Sequence, residues 1–490
     1  MTPEKWFDPY WYLQQYPDIA RAGLNPLEHY LNHGINEGRL PCRLQSLEWD
    51  QALWQKEQPE RECVQALSTL AASDNPLEAS YAAFALGRWH AWQDNWPQAA
   101  RVLAGRAQAG QRLPAHHGPE LLAVEALVRT GQLAKAWHRL GGLQQQERAW
   151  ADASLATANV LAAKATHYAR APSSVKQAWQ AQRLGWINRV WQQVGLEAAK
   201  LVDPNGALQL DNLAVDRPLP EVQVTPAKTP LVSVIIPAYN SEQGLSTALK
   251  SLVDQSLVVA CPGAVEILVV DDASTDNTAT VAETFARQHP NVRVLRQPSN
   301  AGAYAARNRG LAEARGDFIT VHDADDWSHP RKLELQWRAL QENSQWMACN
   351  SHWVRCTPEL QFTRWRMEEG WIYRNTSSLM FRRVVFETLG YWDEVRVEAD
   401  TEYYYRIRAA FGPQSTGEVL PGIPLAFGRV VPTALTVLPA THLATQFAGV
   451  RAEYRKAAFA WHENATGAEQ LYMPHKPQNR PFTAPADILR

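Results

Sequence analysis

Neither charge sign is in surplus in this chain: 48 Lys and Arg stand against 50 Asp and Glu, for a formal net charge of −2. Phosphate-backbone binding ordinarily leaves a basic excess, so nucleic acid is not expected as a partner. Cysteine is scarce and odd in number, with five residues (Cys42, Cys63, Cys261, Cys349, Cys356) and no CxxC spacing. That argues against a disulfide framework or a thiolate zinc site and fits reduced thiols. No apolar run approaches the roughly 20 residues that span a bilayer. Residues 1–6 show neither the basic nor the apolar region of a secretory leader. The expectation is a cytoplasmic protein, peripheral at the inner face of the membrane if it meets one.

What is present is 490 residues with 46% hydrophobic and 20% charged content, a globular composition too long for one core. Five textures follow one another. Residues 1–48 are rich in aromatics, with turn signals at Asn25-Pro26, His33-Gly34 and Gly38, and read as a small helical module. Residues 49–200 carry Ala, Leu, Gln and Trp at helical spacing and read as an all-helical scaffold. There, an apolar segment leading to Asn95-Trp96-Pro97-Gln98-Ala99-Ala100 is echoed by one leading to Gly131-Gln132-Leu133-Ala134-Lys135-Ala136. The offset is near the about 34 residues of tetratricopeptide pairs, so a tetratricopeptide-like array with a protein-binding face is one reading. Residues 201–230, with Pro218, Pro220, Pro226 and Pro230, read as a linker. From 231 to 430 strands alternate with helices, which predicts an α/β domain on a mainly parallel sheet with its site at the carboxyl ends of the strands. Residues 431–490 read as one helix and a tail that wraps over a surface.

The polar clusters fall at those strand ends. A strand over 232–236, ended by Pro237, leads to Ala238-Tyr239-Asn240. A second leads to Asp271-Asp272-Ala273-Ser274-Thr275-Asp276. Tyr and Asp at neighbouring strand ends suit a nucleotide base, although Asp and Ser also serve as helix caps. The fourth strand ends in His322-Asp323-Ala324-Asp325-Asp326-Trp327. Three carboxylates in four residues repel one another unless a cation lies among them, and oxygen donors suit Mg²⁺ or Mn²⁺. The alternative is a solvated acidic loop. Further on, Glu398-Ala399-Asp400-Thr401-Glu402 offers either a general base or a helix cap.

In this order and spacing, together with Asn300-Ala301-Gly302 and Ala306-Arg307-Asn308, these elements resemble the inverting family 2 glycosyltransferases of GT-A fold over roughly residues 231–428. The resemblance implies a GT-A, nucleotide-diphospho-sugar transferase-like domain behind an all-α region. It implies a nucleotide-sugar donor and a saccharide or glycolipid acceptor, in bacterial surface polysaccharide or glycolipid synthesis. It assigns Pro237, Tyr239 and Asp272 to the nucleotide, Arg307 or Asn308 to its ribose–phosphate side, and Asp323 to the ribose or the cation. Asp325 becomes the Mg²⁺ or Mn²⁺ ligand and Asp400 the catalytic base, since Arg406 follows it by the family's six residues. The family's Glu-Asp pair is altered here, because Ala399 precedes Asp400; Glu398 and Glu402 stand as reserves. Trp327 and Trp392 are sugar platforms or core, His322 is expected to orient the acidic loop, and His442 to close the site. Residues 1–48 are similar to a module found beside bacterial glycosyltransferases, on His29-Tyr30-Leu31, Gly34, Glu37-Gly38-Arg39 and Pro41. Two other readings compete. One is a catalytically degenerate sugar-nucleotide-binding scaffold. The other is a nucleotidyltransferase, whose Gly-rich basic loop is missing from Ala238-Tyr239-Asn240-Ser241-Glu242. Absence of GxGxxG after the first strand argues against a dinucleotide enzyme.

Overall fold

The computed structural model describes residues 3–104, 117–144, 151–216, 230–363, 369–431, 436 and 438–489. The chain forms two compact units, Met1–Pro172 with Arg364–Trp371, and Ser173–Thr363 with Ile372–Arg490.

The first unit is helical among its described residues. At its start three short helices, Pro9–Gln15, Pro17–Ala22 and Pro26–His29, each open on a proline, whose fixed φ suits the first helical position. Asp8 and Asn25 cap two of them with their side chains. Tyr12, Ile19 and Tyr30 form the small core. The Tyr12 hydroxyl lies 3.0 Å from His29 Nδ1. A Cβ on Gly34 would fall 2.4 Å from that hydroxyl, so only glycine fits there. Helices Gln45–Gln55, Glu60–Leu70, Pro76–Trp92, Trp96–Ala104, Gly118–Arg129, Leu133–Gln144 and Ala151–His167 then pack, each against the next or next but one. Small side chains at Ala99, Ala100 and Ala126 let neighbouring helices approach closely.

The helix Ser173–Gln192, whose sequence continues the helical texture, belongs to the second unit. After it comes a small antiparallel pair, β1 (Ala199–Leu201) and β2 (Leu213–Val215), bridged by a 3-10 turn at Leu210–Asn212. Part of the stretch read as a linker is thus regular structure. Residues 217–229 of that stretch lie outside the described residues.

The main sheet comprises β3 (Val232–Ala238), β4 (Val265–Asp271), β5 (Val292–Arg296), β6 (Phe318–Val321), β7 (Trp327–Ser328), β8 (Ala348–Cys356), β9 (Phe362–Thr363), β10 (Tyr373–Arg374), β11 (Met380–Arg382) and β12 (Thr416–Arg429). Its order is β5-β4-β3-β6-β11-β8-β12-β7, with β9 and β10 on β8. The first four strands pair in parallel, as the strand–helix alternation predicts. The remainder is mixed: β11 runs antiparallel to both β6 and β8, and β7 antiparallel to β12. This sheet follows an all-α region, and is less purely parallel than the sequence suggests.

Residues alternate between the faces of β3, which suits a sheet covered on both sides. Val234 and Ile236 join Leu245, Leu249 and Leu252 on one side. Ile235 joins Tyr304, Ala306 and Leu311 on the other. Pro237 does not end β3 but lies within it, where pairing with β6 has already stopped at Ile235, so its missing N–H breaks no ladder.

The predicted C-terminal helix is present as Val450–Asn464. The tail after it does not simply wrap a surface. Met473, Phe482 and Ile488 are buried in the second core cluster with Trp392, Tyr403 and Tyr454. Arg480 pairs with the buried Asp393, and the Arg396 N–H donates to the Ile488 carbonyl at 2.8 Å. Regular spacing is a poor guide in such a segment, because its apolar residues insert singly rather than along one face.

Candidate active site

The carboxyl ends of β3, β4 and β6 carry the three polar loops. At the end of β3, Tyr239 is half exposed, and Asn240 takes the left-handed conformation (φ +47°) that Asn tolerates. Asn240 Oδ1 accepts the Thr275 N–H at 2.9 Å, and the Asn240 N–H donates to Ser274 Oγ at 3.0 Å. These bonds tie the first two loops together.

Asp272, at the end of β4, is buried and already engaged. Its Oδ1 accepts Gln297 Nε2 (2.7 Å) and the Ala301 N–H (2.8 Å), and its Oδ2 accepts the Gly302 N–H (2.6 Å). It thereby fixes the turn that opens the helix Ala303–Glu313. From that helix Arg307 is 5% exposed. Its Nη2 donates to Asp323 Oδ1 at 3.1 Å, and its guanidinium stacks 4.9 Å from the Tyr304 ring centroid. Burial works against its charge, but Asp323, Tyr304 and Asp400 outweigh that and hold its pKa above the ordinary arginine value. Among the described residues, Arg307 Nε and Nη1 have no hydrogen-bond partner. Buried guanidinium donors left unpaired are costly and suit an incoming anion. Asn308 turns elsewhere: its amide brackets the Trp392 backbone, Nδ2 to the carbonyl at 2.9 Å and Oδ1 from the N–H at 3.0 Å.

The acidic loop between β6 and β7 is held from beneath. His322 is buried, with Nδ1 2.8 Å from the Asp323 carbonyl and Nε2 2.9 Å from Ser328 Oγ. Burial, and then Lys332, push its pKa down to about 3, so it is a neutral brace at physiological pH. Asp323 Oδ2 accepts Ser377 Oγ at 3.2 Å. Burial, and then the neighbouring Asp323, raise the Asp325 carboxyl to about 6, opposed by Arg429. The same two causes hold Asp326 well above the usual carboxylate range. Asp326 faces inward, where its Oδ1 accepts the Arg429 N–H at 3.0 Å. Among the described residues no three His, Cys, Asp or Glu side chains converge as an ion cage. The donor set still fits a small hard cation, which takes one or two protein carboxylates and completes its shell with phosphate oxygens and water. Crowded carboxylates with raised pKa values are what such a cation relieves.

The helix Ala399–Phe411 brings the fourth element. Asp400 Oδ1 accepts the Tyr304 hydroxyl at 2.9 Å and the Thr401 N–H at 2.9 Å. One connected cluster thus runs from Asp400 through Tyr304 and Arg307 to Asp323. The reserves are placed differently. Glu402 is wholly buried between Arg406 Nη2 (2.9 Å) and His462 Nε2 (2.9 Å). Glu398 takes a left-handed conformation (φ +77°), accepts Arg451 Nη1 at 2.7 Å and has Arg455 Nε 3.3 Å away. Trp327 and Trp392 are core residues, against Trp191 and Phe427 and against Phe381 and Tyr403 respectively. His442 caps a short turn, its Nδ1 accepting the Ala444 N–H at 3.0 Å.

Residues 233–392 match the model for glycosyl transferase family 2. That stretch is a family 2 glycosyltransferase domain. The glycosyltransferase YibD of Escherichia coli strain K12, described as uncharacterized, is 40% identical over 123 residues, 25% of this chain and 34% of that protein. Glycosyltransferase GlyG of Streptococcus pneumoniae is 35% identical over 112 residues, 23% of this chain and 36% of that protein. The chain spans about a third of the length of these curated relatives. Among solved structures, TarS residues 1–349 of S. aureus in complex with UDP aligns with a TM-score of 0.34 at 21% identity, covering 41% of this chain and 61% of that one. The mannosyltransferase PcManGT of Pyrobaculum calidifontis, in complex with GDP-Man and Mn²⁺, aligns at 0.33 and 22% identity, covering 45% and 62%. The family 2 assignment rests on the sequence match over residues 233–392. In this domain Tyr304 and Ser377 join the predicted site residues. Tyr304, three residues before Arg307 on one helix face, was open to detection by spacing; nothing local marks Ser377.

Proposed function

We propose that the protein transfers a sugar from a nucleotide-diphosphate donor to a hydroxyl acceptor, with inversion, in bacterial surface polysaccharide or glycolipid synthesis. The observation that carries this reading is buried Arg307, linked to Asp323 on one side and to Tyr304 and Asp400 on the other, with two donor nitrogens that find no partner among the described residues and are left for an anion.

In this reading Asp325 and Asp323 hold Mg²⁺ or Mn²⁺, which when bound offsets the charge on the leaving diphosphate. Arg307 binds phosphate oxygens with Nε and Nη1. Tyr239 stacks on the base beside Pro237, while Asp272 acts through the Ala301–Gly302 turn it holds. Asn308 acts only indirectly, by fixing the Trp392 backbone. Asp400 is the base. Tyr304 and the Thr401 N–H occupy its Oδ1 and set its orientation, so the acceptor hydroxyl delivers its proton to Oδ2. The attacking oxygen then displaces the diphosphate from the opposite face of the anomeric carbon. Glu402 and Glu398 are structural ion-pair partners in this account.

The helices of the first unit are proposed to stack in tetratricopeptide-like pairs that offer a protein-binding face. Among the described residues no helix is long and apolar enough to cross a membrane; we place the protein in the cytoplasm or at the inner membrane face. The test is a panel of UDP-, GDP- and dTDP-sugars with Mn²⁺, scored for nucleotide release, with Asp325→Ala beside the parent chain. Release from at least one donor, lost in the variant, is expected. No release from any donor, or equal release by the variant, would refute the reading.

A further inference from the structure

The residues just before the matched family region form the outer support of the acidic loop. Trp191, at the end of the helix Ser173–Gln192, is fully buried; it stacks on Phe427 of β12 at 5.3 Å and donates Nε1 to the Pro424 carbonyl at 2.8 Å. Its ring also lies 5.6 Å from Trp327 of β7. Asn188 ties that helix to β1 through paired 2.8 Å bonds with Ala199. The 3-10 turn between β1 and β2 then presents Asp211.

Asp211 faces Arg429, the last residue of β12. Its Oδ2 accepts Arg429 Nη1 at 3.2 Å, its Oδ1 contacts Nη2, and the same Oδ1 accepts Thr247 Oγ1 at 2.5 Å. Arg429 uses its other donors on the acidic loop. Its Nε donates to the Asp325 carbonyl at 3.0 Å and its backbone N–H to Asp326 Oδ1 at 3.0 Å. A guanidinium is a rigid planar fork, so a carboxylate that fixes its two terminal nitrogens also fixes the direction of Nε.

We propose that Asp211 is a positioning residue for the acidic loop, acting through Arg429 to set where the Asp325 carboxylate points. Residues 173–216 are then a working part of the catalytic unit rather than a tether to it. This rests on the transferase reading only for what the loop binds; the positioning itself is a property of the chain.

Hydrogen exchange on the full-length protein tests the positioning without any ligand. In Asp211→Ala, peptides covering residues 322–329 should exchange about tenfold faster, while peptides of β3 and β4 stay unchanged. Asp211→Asn, which keeps an acceptor for Thr247, should fall between. Asp216→Asn serves as the control: it breaks the exposed Lys200–Asp216 pair in the same hairpin and should leave the loop unaffected. In parallel, Mn²⁺-supported UDP and GDP binding is titrated. The cation concentration for half-saturation should rise about tenfold in Asp211→Ala, with cation-independent nucleotide binding unchanged. Loop exchange equal to the parent's, or a uniform rise across the sheet, overturns the proposal. If the parent chain binds neither nucleotide, the transferase reading falls and loop exchange alone decides the role of Asp211.

Discussion

Gly244 stands where the helix Leu245–Val253 begins, and a Cβ there would lie 2.5 Å from Asp325 Cβ and 2.8 Å from Asp325 Cα. Carbon atoms in contact prefer about 3.5–4.0 Å. In Gly244→Ala the acidic loop must therefore withdraw by about 1 Å, since the helix start is anchored by the Leu245 N–H to the Ser241 carbonyl. The backbone itself imposes no penalty, because φ −96° and ψ −29° suit alanine. Overpacking costs about 1–3 kcal/mol, offset by about 0.4–1 kcal/mol from the stiffer unfolded chain. Stability should then fall by somewhere between about 0 and about 2.6 kcal/mol. Catalysis is more exposed, since a misplacement of about 1 Å costs on the order of 100-fold, or about 2.7 kcal/mol. The assay pairs thermal unfolding with steady-state transfer at varied Mn²⁺. A near-native melting curve with turnover down about 100-fold is the expected pair. Gly263→Ala, where a Cβ meets nothing within 4 Å, should leave turnover unaltered. Parental turnover in Gly244→Ala would refute the claim that loop position limits the reaction.

Asp400→Asn should retain donor binding while transfer to acceptor falls at least about 100-fold, the scale of a lost general base; calorimetry and single-turnover rates separate the two. Tyr304→Phe removes a hydrogen bond to a charged acceptor worth about 1.5–3 kcal/mol, so kcat should fall roughly 10-fold or more with donor KM little changed. Glu402→Gln should cost about 3–5 kcal/mol in stability by unpairing buried Arg406, with activity per folded molecule preserved, as measured by denaturant titration and active-site counting. Burial pushes the Glu402 carboxyl up, but Arg406 and His462 outweigh it and hold its pKa below the ordinary 4.5. Its contribution is therefore complete above about pH 4.5 and is lost as pH falls through the depressed folded value. Acid unfolding curves of the parent and of Glu402→Gln should converge in that acidic window.

The half-sheet β3-β4-β5-β6 was legible because short apolar runs such as Ile267–Val270, within β4, are bounded clearly enough to mark buried strands. The strand-end motifs were legible because their chemistry is local. What sequence could not supply was the direction of each side chain. Asp272 and Asn308 carry the right chemistry at the right places, yet both are bonded to backbone, and only the packed turns reveal that. Glu398, Asp400 and Glu402 lie within five residues; the two glutamates differ from Asp400 because Arg451, Arg455 and His462 arrive from more than 50 residues away. The pair β1–β2 was hidden because strands of three residues are too short to show a period. The antiparallel entry of β11 depends on how the chain returns after β10, which composition does not encode.

The buried tail sets an order of events during synthesis. Asp393 emerges from the ribosome 87 residues ahead of Arg480, its ion-pair partner. At roughly 5–20 residues per second, that carboxylate and the apolar floor around Trp392 wait about 4–17 s for their cover. Until Phe482 and Ile488 arrive, the nascent domain exposes part of its own interior. Quality control in the cell has a defined interval in which to recognise it.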